Sequence, residues 1–349
     1  MKAIQGRRYG PPDVLRLEEV DKPVPEEGRV LLRVCAASLN AVDWHGIHGG
    51  IARLFGSGLW RPKDPRVGTD VAGRVEDVGR NVSRFKPGDE VFGACPGALA
   101  EYATAREDRV VPKPANVTFE QAAAVPVAAI TALQGLRDTG HIRAGQTVLV
   151  NGASGGVGTY AVQIAKAFGT EVTGVCSPRN LDTARSIGAD HVIDYTREDF
   201  TKIARRYDLI YDVVGNHSIS AYKRALNPGG RCVIAGMGFP SVSIARLLAL
   251  MIAGPLRSKI GDKKVGFMGI AKLDQKDLEY LGKLLEAGKV VPVIDRRYPL
   301  RETAEALRYL GEGHARGKVV VTVDIAVDPR EAVERTGQAS VQVGDPSYG

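Results

Sequence analysis

The stretch 148–158, VLVNGASGGVG, constrains this chain more than any other. Val148, Leu149 and Val150 predict a short buried strand. A glycine-rich turn follows, and then TYAVQIAKAFG, a helix with small residues on the side that would face a sheet. Strand, turn and helix in that order make a dinucleotide site. Lacking a Cβ, Gly155 lets the backbone approach a pyrophosphate, and Gly158 lets the helix pack close to the strand. The helix start at Ser154, Gly155, Gly156 and Val157 offers unpaired N–H groups and a partial positive charge to phosphates. A second strand arrives on schedule at 171–177, EVTGVCS.

A chain of 349 residues has room for two domains with separate cores. No apolar run approaches a membrane span; the nearest, 244–254 (IARLLALMIAG), is too short and carries Arg246. The start, MKAIQGRRYG, has no apolar leader, and four scattered cysteines contain no Cys-x-x-Cys pair. These features predict a cytoplasmic protein with reduced thiols, no structural zinc and no disulfide framework. The net charge of +7 is dispersed, with no basic, aromatic-interleaved stretch, so no nucleic-acid partner is expected. A polyanionic cofactor accounts for part of the excess.

Residues 1–125 read as short strands and Gly/Pro turns, the pattern of a partly open β-barrel. Residues 48–66 read as a long surface loop. Thr118-Phe119-Glu120-Gln121 is a capping box that opens a helix, and 128–140 is a second helical stretch. From 147 onward strands and helices alternate, including a helix expected near 198–206, as in a doubly wound parallel sheet. The expected fold is therefore α/β. A β-barrel domain spans 1–125, a doubly wound dinucleotide-binding domain 126–270, a further helix and strand segment 271–324, and a loose tail 325–349.

Seven segments then match a family in order and spacing: SLNAVD (38–43), RFKPGDEV (84–91), AAAVPVAAITAL (122–133), NGASGGVG, GADHVIDY (188–195), LNPGGR (226–231) and GHARGKVVV (313–321). Over about residues 1–324 the chain resembles the medium-chain dehydrogenase/reductase superfamily, in its zinc-free quinone-oxidoreductase branch. Within that branch it is similar to the group that includes the mitochondrial reticulon-interacting oxidoreductase. The resemblance implies that 1–125 is a GroES-like catalytic barrel, that 126–270 is a Rossmann domain, that 271–324 returns to the catalytic domain, that the active site lies in the cleft between the two, and that the protein is a homodimer. Zinc-dependent relatives place Cys at Asn40 and His at Thr69, and neither amide nor hydroxyl replaces those ligands. His45 and His48 are read as loop histidines rather than metal ligands.

The second strand ends in Cys176-Ser177-Pro178-Arg179-Asn180, with no carboxylate to repel a 2′-phosphate. Ser177 can donate to such a phosphate and Arg179 can pair with it, so the expected cofactor is NADPH. Relatives often carry Lys where this chain has Asn180, which leaves the identity of the cation open. The resemblance implies further cofactor contacts from Tyr195, Thr131, Val214, Gly236 and Lys318. Without a metal, a simple carbonyl lacks its Lewis acid, but a quinone or enone spreads the incoming charge onto a distant oxygen. Asn40 is the expected donor to that oxygen, and Asp43 orients its loop. Enoyl-thioester reductases of the superfamily usually carry a tyrosine some ten residues beyond this asparagine. Here the stretch is His48-Gly49-Gly50-Ile51, so solvent or His48 would bring the proton. Quinone or enone reduction is the leading reading. An enoyl-thioester reductase is the alternative, and an NADPH-binding protein acting through a protein partner is a third reading of another class.

Overall fold

The computed structural model describes residues 1–49, 58, 60–236 and 262–323. The apolar segment 244–254, the tail 325–349 and the loop residues 50–57 and 59 lie outside the described residues. Among those described, no helix is long and apolar enough to cross a membrane.

The N-terminal part builds β-structure from seven strands. Strands β1 (Lys2–Gln5) and β2 (Arg16–Glu19) pair antiparallel. They are followed by β3 (Arg29–Leu39), β4 (Asp70–Val78), β5 (Glu90–Ala94), β6 (Tyr102–Arg106) and β7 (Val110–Pro112). The eleven-residue β3, RVLLRVCAASL, is the hub. Its aliphatic residues Val30, Leu32, Val34 and Leu39 are all buried. Strand β4 runs along one side of it, with Ser38 opposite Asp70. On the other side β6 covers the first half of β3, Arg29 to Arg33. The second half is left for a strand that comes from the far end of the chain.

The middle of the chain forms a six-stranded parallel sheet. Its strands are β8 (Thr147–Asn151), β9 (Glu171–Cys176), β10 (His191–Asp194), β11 (Tyr207–Asp212), β12 (Leu226–Ile234) and β13 (Lys264–Phe267). The spatial order is β10-β9-β8-β11-β12-β13. Chain order therefore reverses between β8 and β11, and a crevice opens beyond the C-terminal ends of those two strands. The glycine turn after β8 lies at that crevice. The helix expected near 198–206 is absent and the segment is a series of turns. Asp199 Oδ1 accepts both the backbone N–H (2.9 Å) and the hydroxyl (2.7 Å) of Thr201, a local bond that competes with helix formation.

Eight α-helices are described. They are α1 (Ala41–His48), α2 (Phe119–Ala123), α3 (Pro126–Gln134), α4 (Gly156–Ala167), α5 (Leu181–Ser186), α6 (Ile219–Ala225), α7 (Gln275–Glu286) and α8 (Thr303–Gly311). The capping box at Thr118 forms as the sequence predicts: Thr118 Oγ1 accepts from Gln121 N (3.2 Å), and Gln121 Oε1 accepts from Thr118 N (2.9 Å). After α7 the chain returns to the first sheet with β14 (Ile294–Pro299) and β15 (Lys318–Thr322). Strand β15 fills the open half of β3, with Val319 opposite Leu39. Ala36, Ala72 and Phe92 of the first sheet share one apolar core with Leu133, Tyr160 and Leu281. The ends of β3 and β4 are thus held at a fixed distance from the glycine turn.

Candidate active site

Three neighbouring strands deliver one polar cluster. Asn40 follows β3, Asp70 opens β4 and Lys318 opens β15. All three are buried, at 7 %, 0 % and 2 % exposure. Asn40 Nδ2 donates to Asp70 Oδ2 at 2.8 Å, and Lys318 Nζ donates to Asn40 Oδ1 at 2.5 Å. Lys318 Nζ also donates to the Leu39 carbonyl (3.1 Å) and to Asp70 Oδ2 (3.3 Å). Asp70 further accepts from Ser38 Oγ (2.8 Å) and from Val127 N at the start of α3 (3.0 Å). A buried ion pair costs desolvation, and this density of hydrogen bonds offsets it.

Asp43, on the first turn of α1, lies at the edge of this cluster. Its Oδ2 accepts from Asn40 N (2.8 Å) and its Oδ1 from Thr69 Oγ1 (3.3 Å). Burial raises its pKa, the Asp70 charge raises it further, and the result is a carboxyl pushed up to about 7 despite the hydrogen bonds from Asn40 and Thr69 and the nearby Lys318 charge. His48 is not part of the group. It ends α1, eight residues on from Asn40, or about 12 Å along a helix axis. Its Nδ1 bonds the Trp44 carbonyl (2.8 Å) and its ring stacks on the Trp44 indole with centroids 4.1 Å apart. The sequence offers solvent or His48 as the proton source, and the structure sets the His48 ring on Trp44 at the far end of α1 from Asn40.

The glycine turn has the shape a dinucleotide needs. A Cβ on Gly158 would overlap the Gly152 carbonyl oxygen, so α4 and the turn are in direct backbone contact. A Cβ on Gly155 would meet nothing closer than 3.6 Å, so glycine there leaves space on the outer side of the turn. No side chain caps α4 at Gly155, and its first N–H groups at Gly156 and Val157 remain available to an anion. Asn180, Ser154 and Ser177 form a second group. Asn180 Nδ2 donates to Ser154 Oγ and to Ser177 Oγ, both at 3.0 Å. Asn180 is 5 % exposed and its Oδ1 has no partner among the described residues, an orphaned buried acceptor beside the turn. Its amide thus ties the two hydroxyls together.

Arg179 lies at the rim, with Nη2 3.4 Å from the His314 carbonyl, and Tyr195 is exposed just past β10. Val214 and Gly236 lie two residues beyond β11 and β12, at the C-terminal edge of the sheet. Asp212, which the sequence reading passed over, fixes this edge. Its Oδ1 accepts from Val214 N and Gly215 N (both 2.7 Å) and from Asn151 Nδ2 (3.1 Å), and its Oδ2 from the Tyr222 hydroxyl. Thr131 donates its hydroxyl to the Val127 carbonyl (2.7 Å) and keeps only acceptor capacity. Lys318 joins the polar cluster to the glycine turn. Its stem lies against the turn, since a Cβ on Gly156 would meet its Cδ at 3.3 Å, but all three ammonium protons are spent on Leu39, Asn40 and Asp70.

Comparison with known proteins places this geometry. The alcohol dehydrogenase GroES-like domain matches residues 26–115, and the zinc-binding dehydrogenase model matches 187–321. A chloroplastic quinone-oxidoreductase homolog of Spinacia oleracea is 36% identical over 322 residues, covering 88% of this chain and 93% of its own. The chain belongs to the quinone-oxidoreductase branch of the medium-chain dehydrogenase/reductase family. Within that family it is also 36% identical over 316 residues to a 2-methylene-furan-3-one reductase of Solanum lycopersicum, covering 86% of this chain and 72% of the relative. The structure of Escherichia coli quinone oxidoreductase complexed with NADPH superposes with a TM-score of 0.78 at 26% identity, over 92% of this chain and all of that one. The open turn, the uncapped α4 and the orphaned Asn180 Oδ1 fit the nicotinamide dinucleotide that this family binds. The residues do not fit the zinc for which one matching model is named. Asn40 Oδ1 already holds an ammonium, and the Thr69 hydroxyl is committed to Asp43. Among the described residues no group of three or more His, Cys, Asp or Glu side chains is placed to hold a metal.

Proposed function

We propose that the protein is an NADPH-dependent, zinc-independent reductase acting on a quinone or an α,β-unsaturated carbonyl. The observation that carries this reading is the Asn40 amide. It is held by a lysine on its oxygen and a carboxylate on one N–H, and its second N–H has no acceptor among the described residues. Such a site offers an acceptor oxygen a hydrogen bond in place of a Lewis acid. When bound, the reduced nicotinamide supplies hydride. Asn40 then binds the acceptor oxygen as negative charge develops on it. A hydrogen bond suits a quinone or enone, in which that charge is delocalised, better than an unactivated aldehyde. Asp43 holds the start of α1 through Asn40 N and so keeps the donor at the end of β3. Water protonates a hydroquinone oxygen without help, in keeping with the lack of a tyrosine at 48–51.

Support for NADPH comes from the end of β9. Ser177 and Arg179 stand there with no carboxylate, and the hydroxyls of Ser154 and Ser177 accept from Asn180 and so keep their own protons to donate. Steady-state rates of chelator-treated protein test the whole reading, with NADPH or NADH paired against a simple quinone, an unactivated aldehyde, an alkenal and an enoyl thioester. The expected outcome is NADPH-dependent turnover of the quinone or alkenal. Aldehyde turnover that chelation abolishes would overturn it, and a preference for the enoyl thioester would assign the protein to that substrate instead. Cofactor binding with no turnover of any acceptor would point to action through a protein partner.

A further inference from the structure

We propose that Lys318 and Asp70 are positioning residues that fix the direction in which Asn40 presents its N–H to the substrate. This rests on the proposed role of Asn40 as donor to the acceptor oxygen.

The two ends of an asparagine amide are alike in shape and opposite in chemistry. An ammonium can only donate and a carboxylate can only accept. Here the ammonium of Lys318 lies on Oδ1 and the carboxylate of Asp70 on Nδ2, at 2.5 and 2.8 Å. Rotating the amide by half a turn would set N–H against ammonium and carbonyl against carboxylate, two repulsive contacts in a buried site. One orientation is therefore enforced. In it Oδ1 is satisfied, one Nδ2 hydrogen belongs to Asp70, and the other is unspent on a side chain only 7 % exposed.

The clamp is itself held. Asp70 is fixed by Ser38 Oγ and by Val127 N, and Lys318 by the Leu39 carbonyl. The strand register builds it, because Asp70 lies opposite Ser38 and Val319 opposite Leu39. An ammonium on the amide oxygen also draws electron density from the group and makes the remaining N–H a stronger donor. The Lys318 stem touches the turn at Gly156, so the donor is built directly beside the cofactor cradle.

Lys318→Met alone would leave Asp70 as a buried unpaired charge and risks unfolding. The charge-neutral pair Lys318→Met with Asp70→Asn avoids that and serves as the main test. The first readout needs no turnover. In protein labelled with ¹⁵N-asparagine, the Asn40 side-chain amide is assigned by its disappearance in Asn40→Asp. The clamp predicts one downfield, exchange-protected proton in the native protein, and loss of that protection in the double variant. An unchanged resonance pair would overturn the proposal. The second readout is kinetic. The double variant should lose about ten- to a hundredfold in kcat, the size of one charge-assisted hydrogen bond, with NADPH affinity within about twofold of native. The loss should grow along a series of quinones of falling reactivity, because a weaker acceptor depends more on its oxygen contact. A raised KM for NADPH at unchanged kcat would instead assign Lys318 to the cofactor. Asn40→Ala separates the two claims. Full turnover in that variant removes the donor role itself, whereas a slow Asn40→Ala beside a fast double variant removes the clamp alone.

Discussion

Asp43 is buried beside a second carboxylate, and its pH behaviour follows from that placement. Asp70 faces it from β4, Lys318 from β15 and the Thr69 hydroxyl from the residue preceding β4, while His45 and His48 share its helix. Its folded pKa of about 7 lies above the roughly 3.9 of a free aspartate. The folded protein therefore holds this proton more tightly than the unfolded chain does. The contribution to stability is fully present below about pH 4 and is lost as pH rises to about 7. Asp43→Asn, which keeps an acceptor for Asn40 N, should gain in Tm relative to the native protein as pH is raised from 4 to 7. Parallel Tm curves would show that Asp43 titrates normally. A second prediction concerns Arg179. Pairing with a 2′-phosphate is worth about 1.5–3 kcal/mol, so Arg179→Ala should raise the KM for NADPH about ten- to a hundredfold and leave that for NADH nearly unchanged. Equal effects on both cofactors would remove Arg179 from the phosphate. The pairing of Asn40 with Asp43 and the glycine turn are legible because each is a local pattern. The destination of Lys318 is not, because 278 residues separate it from Asn40 and only the β15–β3 register joins them. Asp70 was missed for the same reason, although an acidic residue opening the apolar run DVAGRV was a readable signal.

The glycine turn assigns different work to two of its glycines. At Gly158 a methyl group would collide with the Gly152 carbonyl oxygen, so Gly158→Ala must push α4 away from the turn. A lowered Tm and weakened cofactor binding are expected together. At Gly155 a methyl group finds ordinary space, its nearest neighbour 3.6 Å away. Gly155→Ala should keep its native Tm and lose cofactor affinity alone, because the space it fills is the one the pyrophosphate approaches. Thermal unfolding and fluorescence titration with NADPH separate the two cases. Loss of Tm in Gly155→Ala would show that the outer face of the turn is packed rather than open. Most elements were legible because strand and helix periods differ and because the capping box at Thr118 marks a start. The expected helix near 198–206 failed because Asp199 and Thr201 close a turn on themselves, a bond that periodicity does not register.

The shared core makes the two sheets one cooperative body. Phe92 belongs to β5 of the first sheet yet is fully buried in the same cluster as Tyr160 of α4 and Leu281 of α7. Phe92→Ala should destabilise the protein by about 3–5 kcal/mol and lower a single unfolding transition. Two separated transitions would mean that the sheets melt independently. The outer side of β13 raises the question of assembly. This strand ends the parallel sheet, and no strand among the described residues pairs with its far edge. Unpaired sheet edges invite strand addition, and a two-fold axis at this edge would join two six-stranded sheets into one. We therefore expect a homodimer in solution. Gly266 lies in β13, and a Cβ there meets nothing within 4 Å. Gly266→Asp should leave the single chain folded, while a two-fold pairing of edges would bring two carboxylates toward one another. Sedimentation equilibrium should then show the native protein as two chains and Gly266→Asp shifted toward one, with circular dichroism unchanged. A native monomer at micromolar concentration would sink the dimer. A dimer indifferent to Gly266→Asp would place its interface on another face.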